Sequence, residues 1–345
     1  MIDFKLILEK LAQRQDLTQI EARQALGGII EGEVGVERTT AFLLGMRSKG
    51  ETIEELTSFV QVMREAAIHP EVSAEGAIDI CGTGGDNSGT FNISTAAMFV
   101  VAGAGVPVLK HGNRGVSSKS GSADVLEALD IVATLHKKQI EYVFEQVKVC
   151  FMLAPNFHPA MKRVMPARQV LGIRSFFNTM GPLLNPAGVR RQVVGAFDKR
   201  TARQIAEILS NLDSERVYSV HARDGLDEFS LSAPTFVHEI EDNEFTAEYE
   251  FDASTLGFEP VSLQDLQGGD RFYNANIIRS VLEGKGEPAH RAIVLLNATF
   301  GIHVSGKADS LQQAKQMAVE SIDSGAALSV LNRMSEATND IMEVN

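Results

Sequence analysis

Val106-Pro107-Val108-Leu109-Lys110-His111-Gly112-Asn113-Arg114-Gly115-Val116-Ser117-Ser118-Lys119-Ser120-Gly121-Ser122-Ala123-Asp124-Val125-Leu126-Glu127-Ala128-Leu129 carries the plan of the chain. Val106 to Leu109 is an apolar run that reads as a buried strand, and Ala123 to Leu129 reads as a helix. Between them, Lys110 to Ser122 is a strand-to-helix loop with two lysines, one arginine, four serines and three glycines. Glycine lets backbone N–H groups come close to a ligand, and the start of a helix adds partial positive charge. Serine hydroxyls add donors, and the cations neutralise anionic oxygens. Such a loop suits a phosphate-rich ligand; a solvated surface loop is the plainer alternative.

Upstream, the same grammar recurs. Ala77-Ile78-Asp79-Ile80-Cys81 reads as a strand, followed by Gly82-Thr83-Gly84-Gly85-Asp86, then Thr90-Phe91-Asn92-Ile93-Ser94-Thr95 and an apolar helix through Ala104. Ser94 or Thr95 is placed to cap that helix. Neither loop has the Gly-x-x-x-x-Gly-Lys-Ser/Thr of a nucleotide P-loop, and neither has the Gly-x-Gly-x-x-Gly of a dinucleotide fold.

Away from these units the pattern is strand and helix in alternation, which predicts a mostly parallel sheet with helical cover. Strands are expected at 77–81, 106–110, 131–134, 149–153, 192–196, 216–221 and 248–251, and helices at 94–104, 122–129, 139–147 and 201–212. Residues 237–260 read as a β-rich acidic excursion. Asn276 to Glu283 and Ser310 to Leu331 read as helical, with fraying expected beyond Ser335.

Residues 1–70 read as helices only, with capping boxes at Thr18-Gln19-Ile20-Glu21 and Thr52-Ile53-Glu54-Glu55. Prolines 159, 166, 182 and 186 break the alternation over 159–187. The expected division is a small all-helical domain of 1–70 with about 160–185, and an α/β domain of 77–159 and 186–345. Hinges are expected near 70–77 and beside Arg168. Phe42, Leu43, Leu44 and Met46 make one helix apolar nearly all round, as in a helix that is buried or packs on another chain.

Composition limits the function. The 345 residues carry a net charge of −13, against binding nucleic acid through a broad basic face. No run approaches the ~20 apolar residues needed to span a membrane. The start, Met1-Ile2-Asp3-Phe4-Lys5, reads as an amphipathic helix and not as a signal peptide, so a cytoplasmic protein is expected. Cys81 and Cys150 read as small core residues. Asp227-Glu228, after Asp224-Gly225, is either a solvated acidic turn or a carboxylate pair that attracts a cation. Arg168 is either a surface arginine or a fork for a carboxylate.

The ordered set GTGGD, TFNIST, KHGNR and SSKSGSADVLEAL resembles the anthranilate phosphoribosyltransferase family. The likeness continues through Ala154-Pro155-Asn156-Phe157-His158-Pro159-Ala160-Met161, Pro166 to Arg174, Gly181 to Ala187 and Asp224 to Glu228, and so covers most of the chain. It implies a nucleoside phosphorylase/phosphoribosyltransferase-like fold. It also implies a Mg²⁺-dependent pentosyltransferase that joins phosphoribosyl diphosphate to the anthranilate amine, in tryptophan biosynthesis, and acts as a homodimer.

On this resemblance, phosphoribosyl diphosphate is held by Gly82, Gly85, Asp86, Thr90, Asn92, Ile93, Ser94 and Thr95, and by Lys110, His111, Gly112, Asn113, Arg114, Gly115, Val116, Ser117, Ser118, Lys119 and Ser122. Gly82, Asn113 and Arg168 meet anthranilate, and Ser94, Asp227 and Glu228 meet the metal. No catalytic acid or base is implied. His111 is either a substrate-orienting residue or a hydrogen-bonded structural one. Where the family commonly has other residues, this chain has Gly115, Asn87-Ser88, Asp130 and His221-Ala222-Arg223. Arg223 is near enough in sequence to pair with the acids. Rival readings are a pyrimidine nucleoside phosphorylase, which has a different glycine loop, and a non-catalytic nucleic-acid-binding paralogue, which would need a basic groove.

Overall fold

The computed structural model describes residues 3–86, 88–115 and 120–343. Asn87, Val116, Ser117, Ser118 and Lys119 lie outside the described residues.

Four helices open the chain: α1 (Phe4–Ala12), α2 (Gln19–Glu31), α3 (Val36–Lys49) and α4 (Ile53–Glu65). Both capping boxes form, with Thr18 and Thr52 accepting from the N–H groups of Glu21 and Glu55. The α/β part follows as β1 (Ile78–Gly82), α5 (Ile93–Gly103), β2 (Val108–Gly112), α6 (Ser122–Ala128), α7 (Lys137–Val147), β3 (Val149–Leu153), α8 (Ala154–Phe157), α9 (Met161–Leu171) and α10 (Phe177–Met180). It continues as β4 (Arg191–Gly195), α11 (Lys199–Leu209), β5 (Arg216–Ala222), β6 (Thr235–Glu241), β7 (Glu244–Phe251), α12 (Arg271–Leu282), α13 (Pro288–Val304), α14 (Leu311–Asp323) and α15 (Ala326–Glu343).

The seven strands form one sheet in the order β3-β2-β1-β4-β5-β6-β7. The first five are parallel, while β6 and β7 return as an antiparallel hairpin. The chain builds outward from β1 to β2 and β3, then restarts beside β1 with β4. Beyond the carboxyl ends of β1 and β4 the connections diverge, and such a switch point opens a crevice for ligands. The register there is level, with Gly82 opposite Gly195.

One sheet face is covered by α5, α13 and their neighbours around a large apolar core. A second core runs from the other face, through Ile205 and Leu209 of α11, into the N-terminal helices. It takes in Val164 and Ala167 of α9 and Phe176, Phe177 and Met180 around α10, and α9 packs on α2 and α3.

Several sequence expectations change. Residues 131–134 are not a strand: Ile131 and Ala133 are buried in alternation, but the Val132 N–H donates to the Thr338 hydroxyl of α15. The β-rich excursion is the hairpin β6–β7, turned by Asp242 and Asn243 at φ 48° and 68°, the left-handed pair that a tight hairpin needs. The C-terminal segment does not fray at Ser335, because Ser335 and Asn339 donate to the Asp130 carbonyl. Phe42, Leu43 and Met46 are all fully buried inside their own helical unit, and of that apolar run only Leu44 is exposed. Both cysteines are buried, as expected.

Candidate active site

The acid pair sits at the switch point. After β5 the chain turns through Asp224 and Gly225, with Gly225 at φ +96°. Asp224 accepts from the Leu226 N–H and the Ser230 hydroxyl. The turn lays Asp227 directly across the level ends of β1 and β4. A Cβ on Gly82 would fall 2.5 Å from Asp227 Oδ2, and one on Gly195 would fall 1.5 Å from the Asp227 carbonyl. Two paired glycines thus leave the space that the acid turn fills.

Adjacent residues on a strand point apart, but the bent chain brings both carboxylates to one place. Asp227 Oδ2 accepts from the Gly84 N–H at 2.9 Å, and Glu228 Oε1 accepts from the Ser94 N–H at 3.0 Å. This corrects the expected helix cap: Ser94 and Thr95 lie in the first turn of α5, the residue before the helix, Asn92, makes no side-chain cap bond, and Glu228 serves an open N–H there. Burial raises both carboxyls. Asp86 and Asp227 add repulsion, so that Asp227 is held well above the usual range and Glu228 is pushed up to about 8.

Lys110 is the cation that offsets them. It is 1% exposed, and its ammonium donates to the Ile80 carbonyl and, at 3.3 Å, to Ser94 Oγ. It therefore lies beneath the loops, inside the sheet edge, and not on the outer surface of its own loop. Asp79 beside it is fully buried, and accepts from the His111 N–H and, at 2.8 Å, from the Asn185 amide. Burial pushes its carboxyl up to about 6 against the pull of Lys110. Neither Asp79 nor Asn185 carries a role in the sequence reading. The signal for Asp79 is a lone charge inside the apolar run Ala77 to Cys81.

The first glycine loop arches away from β1 with Gly84 and Gly85 at φ +63° and +75°. The Gly85 carbonyl accepts from Arg174, whose guanidinium stacks on Phe197 at 4.5 Å. Thr90 pairs with Gln267, and Ile93 and Thr95 are buried under the loop. The Asn92 amide ties the two loops, donating to the Ser120 carbonyl at 3.2 Å, while Asn274 of α12 donates to its oxygen at 3.0 Å. Asn274 is absent from the sequence reading, since nothing local marks it.

In the second loop Gly112 has no room for a side chain, because a Cβ would lie 2.6 Å from the Phe151 ring. Asn113 turns back on itself, accepting from the Arg114 N–H. Arg114 itself pairs with Asp124 and Glu127 of α6, and Gly115 and Gly121 both donate to Asp124. Ser122 opens α6 beside them. Arg223 likewise departs from expectation: it pairs with Glu250 at 2.6 Å and not with the acid pair.

His111 is buried edge-on to His158, with ring centroids 5.2 Å apart. Its Nδ1 faces the Gly181 carbonyl at 3.2 Å, so that nitrogen carries the proton and Nε2 is a bare acceptor. Burial holds it down to about 3, and the ring is neutral. Arg168 lies in the last turn of α9. Its guanidinium is over Phe177 at 5.7 Å, with Met165 Sδ at 3.9 Å, and pairs with no carboxylate among the described residues.

The donor chemistry fits a hard divalent cation. Two adjacent buried carboxyls whose ionisation is opposed by burial and by neighbouring acids, with one buried lysine, form a pair that a further cation would hold ionised. Among the described residues no three His, Cys, Asp or Glu gather into a closed metal site. Mg²⁺ is characteristically held by one or two carboxylates together with substrate phosphates.

Two sequence families' profiles match the chain: the glycosyl transferase family helical bundle domain over residues 5–67, and the glycosyl transferase family α/β domain over residues 74–328. Fold and site thus define an enzyme of the glycosyl transferase class. Anthranilate phosphoribosyltransferase from Salinibacter ruber is 44% identical over 337 residues, covering 97% of this chain and 98% of that one. The crystal structure of anthranilate phosphoribosyltransferase from Thermus thermophilus superposes with a TM-score of 0.90 at 34% identity, over 96% of this chain and 99% of that one. The enzyme from Saccharomyces cerevisiae in complex with PRPP and Mg superposes at 0.89 with 25% identity, over 98% of each chain. The chain belongs to the anthranilate phosphoribosyltransferase family. No helix among the described residues is long and apolar enough to cross a membrane.

Proposed function

We propose that the chain transfers the phosphoribosyl group of phosphoribosyl diphosphate to the amine of anthranilate and releases diphosphate. The observation that carries this reading is the acid pair at the switch point, set between two glycine loops; Arg168, which pairs with no carboxylate among the described residues, adds to it. The amine lone pair forms the bond to the anomeric carbon. The C–O bond to diphosphate breaks, its electron pair leaves on diphosphate, and the nitrogen gives up a proton to solvent water.

Charge accumulates on the leaving group, so catalysis is positioning and neutralisation. Asp227, Glu228 and the Ser94 hydroxyl would hold Mg²⁺, which would neutralise diphosphate oxygens. The loop of Gly82, Gly85 and Asp86 and the start of α5 meet the diphosphate and ribose. From the second loop, Asn113 and Ser122 hold the phosphoribosyl and diphosphate groups. Lys110 acts from beneath, as a fixed positive charge. Arg168 receives the anthranilate carboxylate in bidentate geometry. A neutral His111, with Nε2 as acceptor, suits orientation of the amine and does not serve as an acid.

The reaction is a step of tryptophan biosynthesis, and we place it in the cytoplasm. A homodimer through the N-terminal helices belongs to the same proposal. Leu6 and Leu44 support it, as both are exposed, on α1 and α3, which pack side by side.

The test is turnover of the purified chain with phosphoribosyl diphosphate, anthranilate and Mg²⁺, followed by loss of anthranilate fluorescence and by diphosphate release. Equal yields of both signals are expected. Phosphorolysis of pyrimidine nucleosides in place of that turnover, or retention on DNA without it, would overturn the reading.

A further inference from the structure

We propose that Asn297, a helix residue outside both glycine loops, is a positioning residue that fixes the backbone behind Asp227 and Glu228 so that the two carboxylates face one cation. The inference rests on the reading of these acids given above. Asn297 lies in α13 and is 1% exposed. Its Oδ1 accepts from the Phe229 N–H at 3.1 Å, and its Nδ2 donates to the Phe229 carbonyl at 3.1 Å and to the Ile293 carbonyl at 3.0 Å.

A side-chain amide that bonds both the N–H and the C=O of one residue does what a neighbouring strand would do, at a point where the sheet offers no strand. The Phe229 N–H belongs to the same peptide unit as the Glu228 carbonyl. Holding that plane therefore limits the rotation that aims the Glu228 side chain. The Phe229 ring is clamped as well, stacked on Phe300 at 3.5 Å and edge-on to Phe251. At Asp227 itself, Gly82 and Gly195 leave room for the turn but cannot hold it. The turn is thus held at Phe229 by Asn297 and admitted at Asp227 by the two glycines. Partners that orient metal-binding side chains are worth roughly 10- to 100-fold in metal affinity when removed.

The experiment titrates Mn²⁺, as an EPR-visible stand-in for Mg²⁺, into the intact chain with phosphoribosyl diphosphate present. Wild type is compared with Asn297→Ala and the milder Asn297→Ser, each well below its own melting temperature. Metal affinity is expected to fall by roughly 10-fold or more in Asn297→Ala, with little change in the KM for anthranilate. A lower melting temperature with unchanged metal affinity would make Asn297 a structural residue only and overturn the inference. So would failure of both variants to fold, which would assign Asn297 to the core as a whole. A wild type that binds no metal refutes the reading of the acid pair itself and this inference with it, whereas equal binding by wild type and variants refutes only the inference.

Discussion

Arg168→Ala should separate the two substrates. The guanidinium makes no ion pair with a described residue; it rests near Met165 Sδ and over the Phe177 ring. Partial burial lowers its pKa, with no carboxylate nearby to oppose that. Its removal strands no buried partner, and the cation–π contact forfeited is worth about 0.5–1 kcal/mol. The fold should therefore survive almost unchanged. The bound carboxylate is the larger loss. Hydrogen bonds to charged groups contribute roughly 1.5–3 kcal/mol, which at about 1.4 kcal/mol per decade is a 10- to 100-fold fall in kcat/KM for anthranilate. Arg168 makes no hydrogen bond or ion pair to a described residue of either glycine loop, so the dissociation constant for phosphoribosyl diphosphate should barely move. Arg168→Lys should recover only part of the loss, because a point charge cannot reproduce the fork. Steady-state kinetics with each substrate varied in turn, with calorimetric titration of phosphoribosyl diphosphate, makes the measurement. Equal damage to both substrates would mean that Arg168 holds the cleft together and does not read the carboxylate, and the reasoning would fail.

Other perturbations have expected outcomes. Asp227→Asn with Glu228→Gln should remove most turnover, while in EDTA at pH 8 the double variant should melt at or above wild type. Its acids have raised folded pKa values, so their contribution is present below the ordinary carboxylate range and lost as pH rises through about 8. Melting curves and turnover should part company, and a lower melting point in EDTA would contradict this. Gly195→Ala should displace the acid turn, since its Cβ would lie 1.5 Å from the Asp227 carbonyl; a stability loss of about 1–3 kcal/mol by denaturant titration is expected. Burial holds His158 down to about 4, so its contribution is lost as pH falls from the ordinary histidine value toward that point. At about 1.4 kcal/mol per unit this reaches ~3 kcal/mol, and His158→Gln should flatten the acid limb of stability against pH.

The sequence makes some of this legible and hides the rest, for physical reasons. The two glycine loops declare themselves because strand, turn and helix start are local patterns. The central helix α13 does not. It is apolar almost all round, with Ile293 to Ile302 entirely buried, so it lacks the amphipathic period that marks a surface helix. Residues 131–134 mislead for the opposite reason: alternate burial is the mark of a strand, yet their backbone partner is a side chain on α15. In the site, residue identity gives Asp227 and Glu228 but not their convergence, which depends on a turn and on two glycines brought level by strand register. Asn274, Asn185 and Asn297 stay invisible because an asparagine's meaning lies in what it bonds, and each bonds a segment far away in sequence.

On the proposed reading, the acid pair is held in place before any cation arrives. Each carboxylate is anchored by one backbone N–H, Asp227 by Gly84 and Glu228 by Ser94. Those amides lie at the foot of the glycine loop and at the start of α5, where helix N–H groups lack intrahelical partners. The acids therefore complete a helix start and a loop that would otherwise need other acceptors, and they gain orientation in return. A carboxylate has about four lone-pair sites, and Glu228 uses Oε1 for this bond while Oε2 accepts none among the described residues. That leaves an oriented oxygen on a raised-pKa acid, with Lys110 as the only ammonium against Ser94 among the described residues. A divalent cation arriving with diphosphate would supply the charge that the fold itself omits. A site completed in that way would gain its strongest electrostatic interaction at the moment the leaving group needs it.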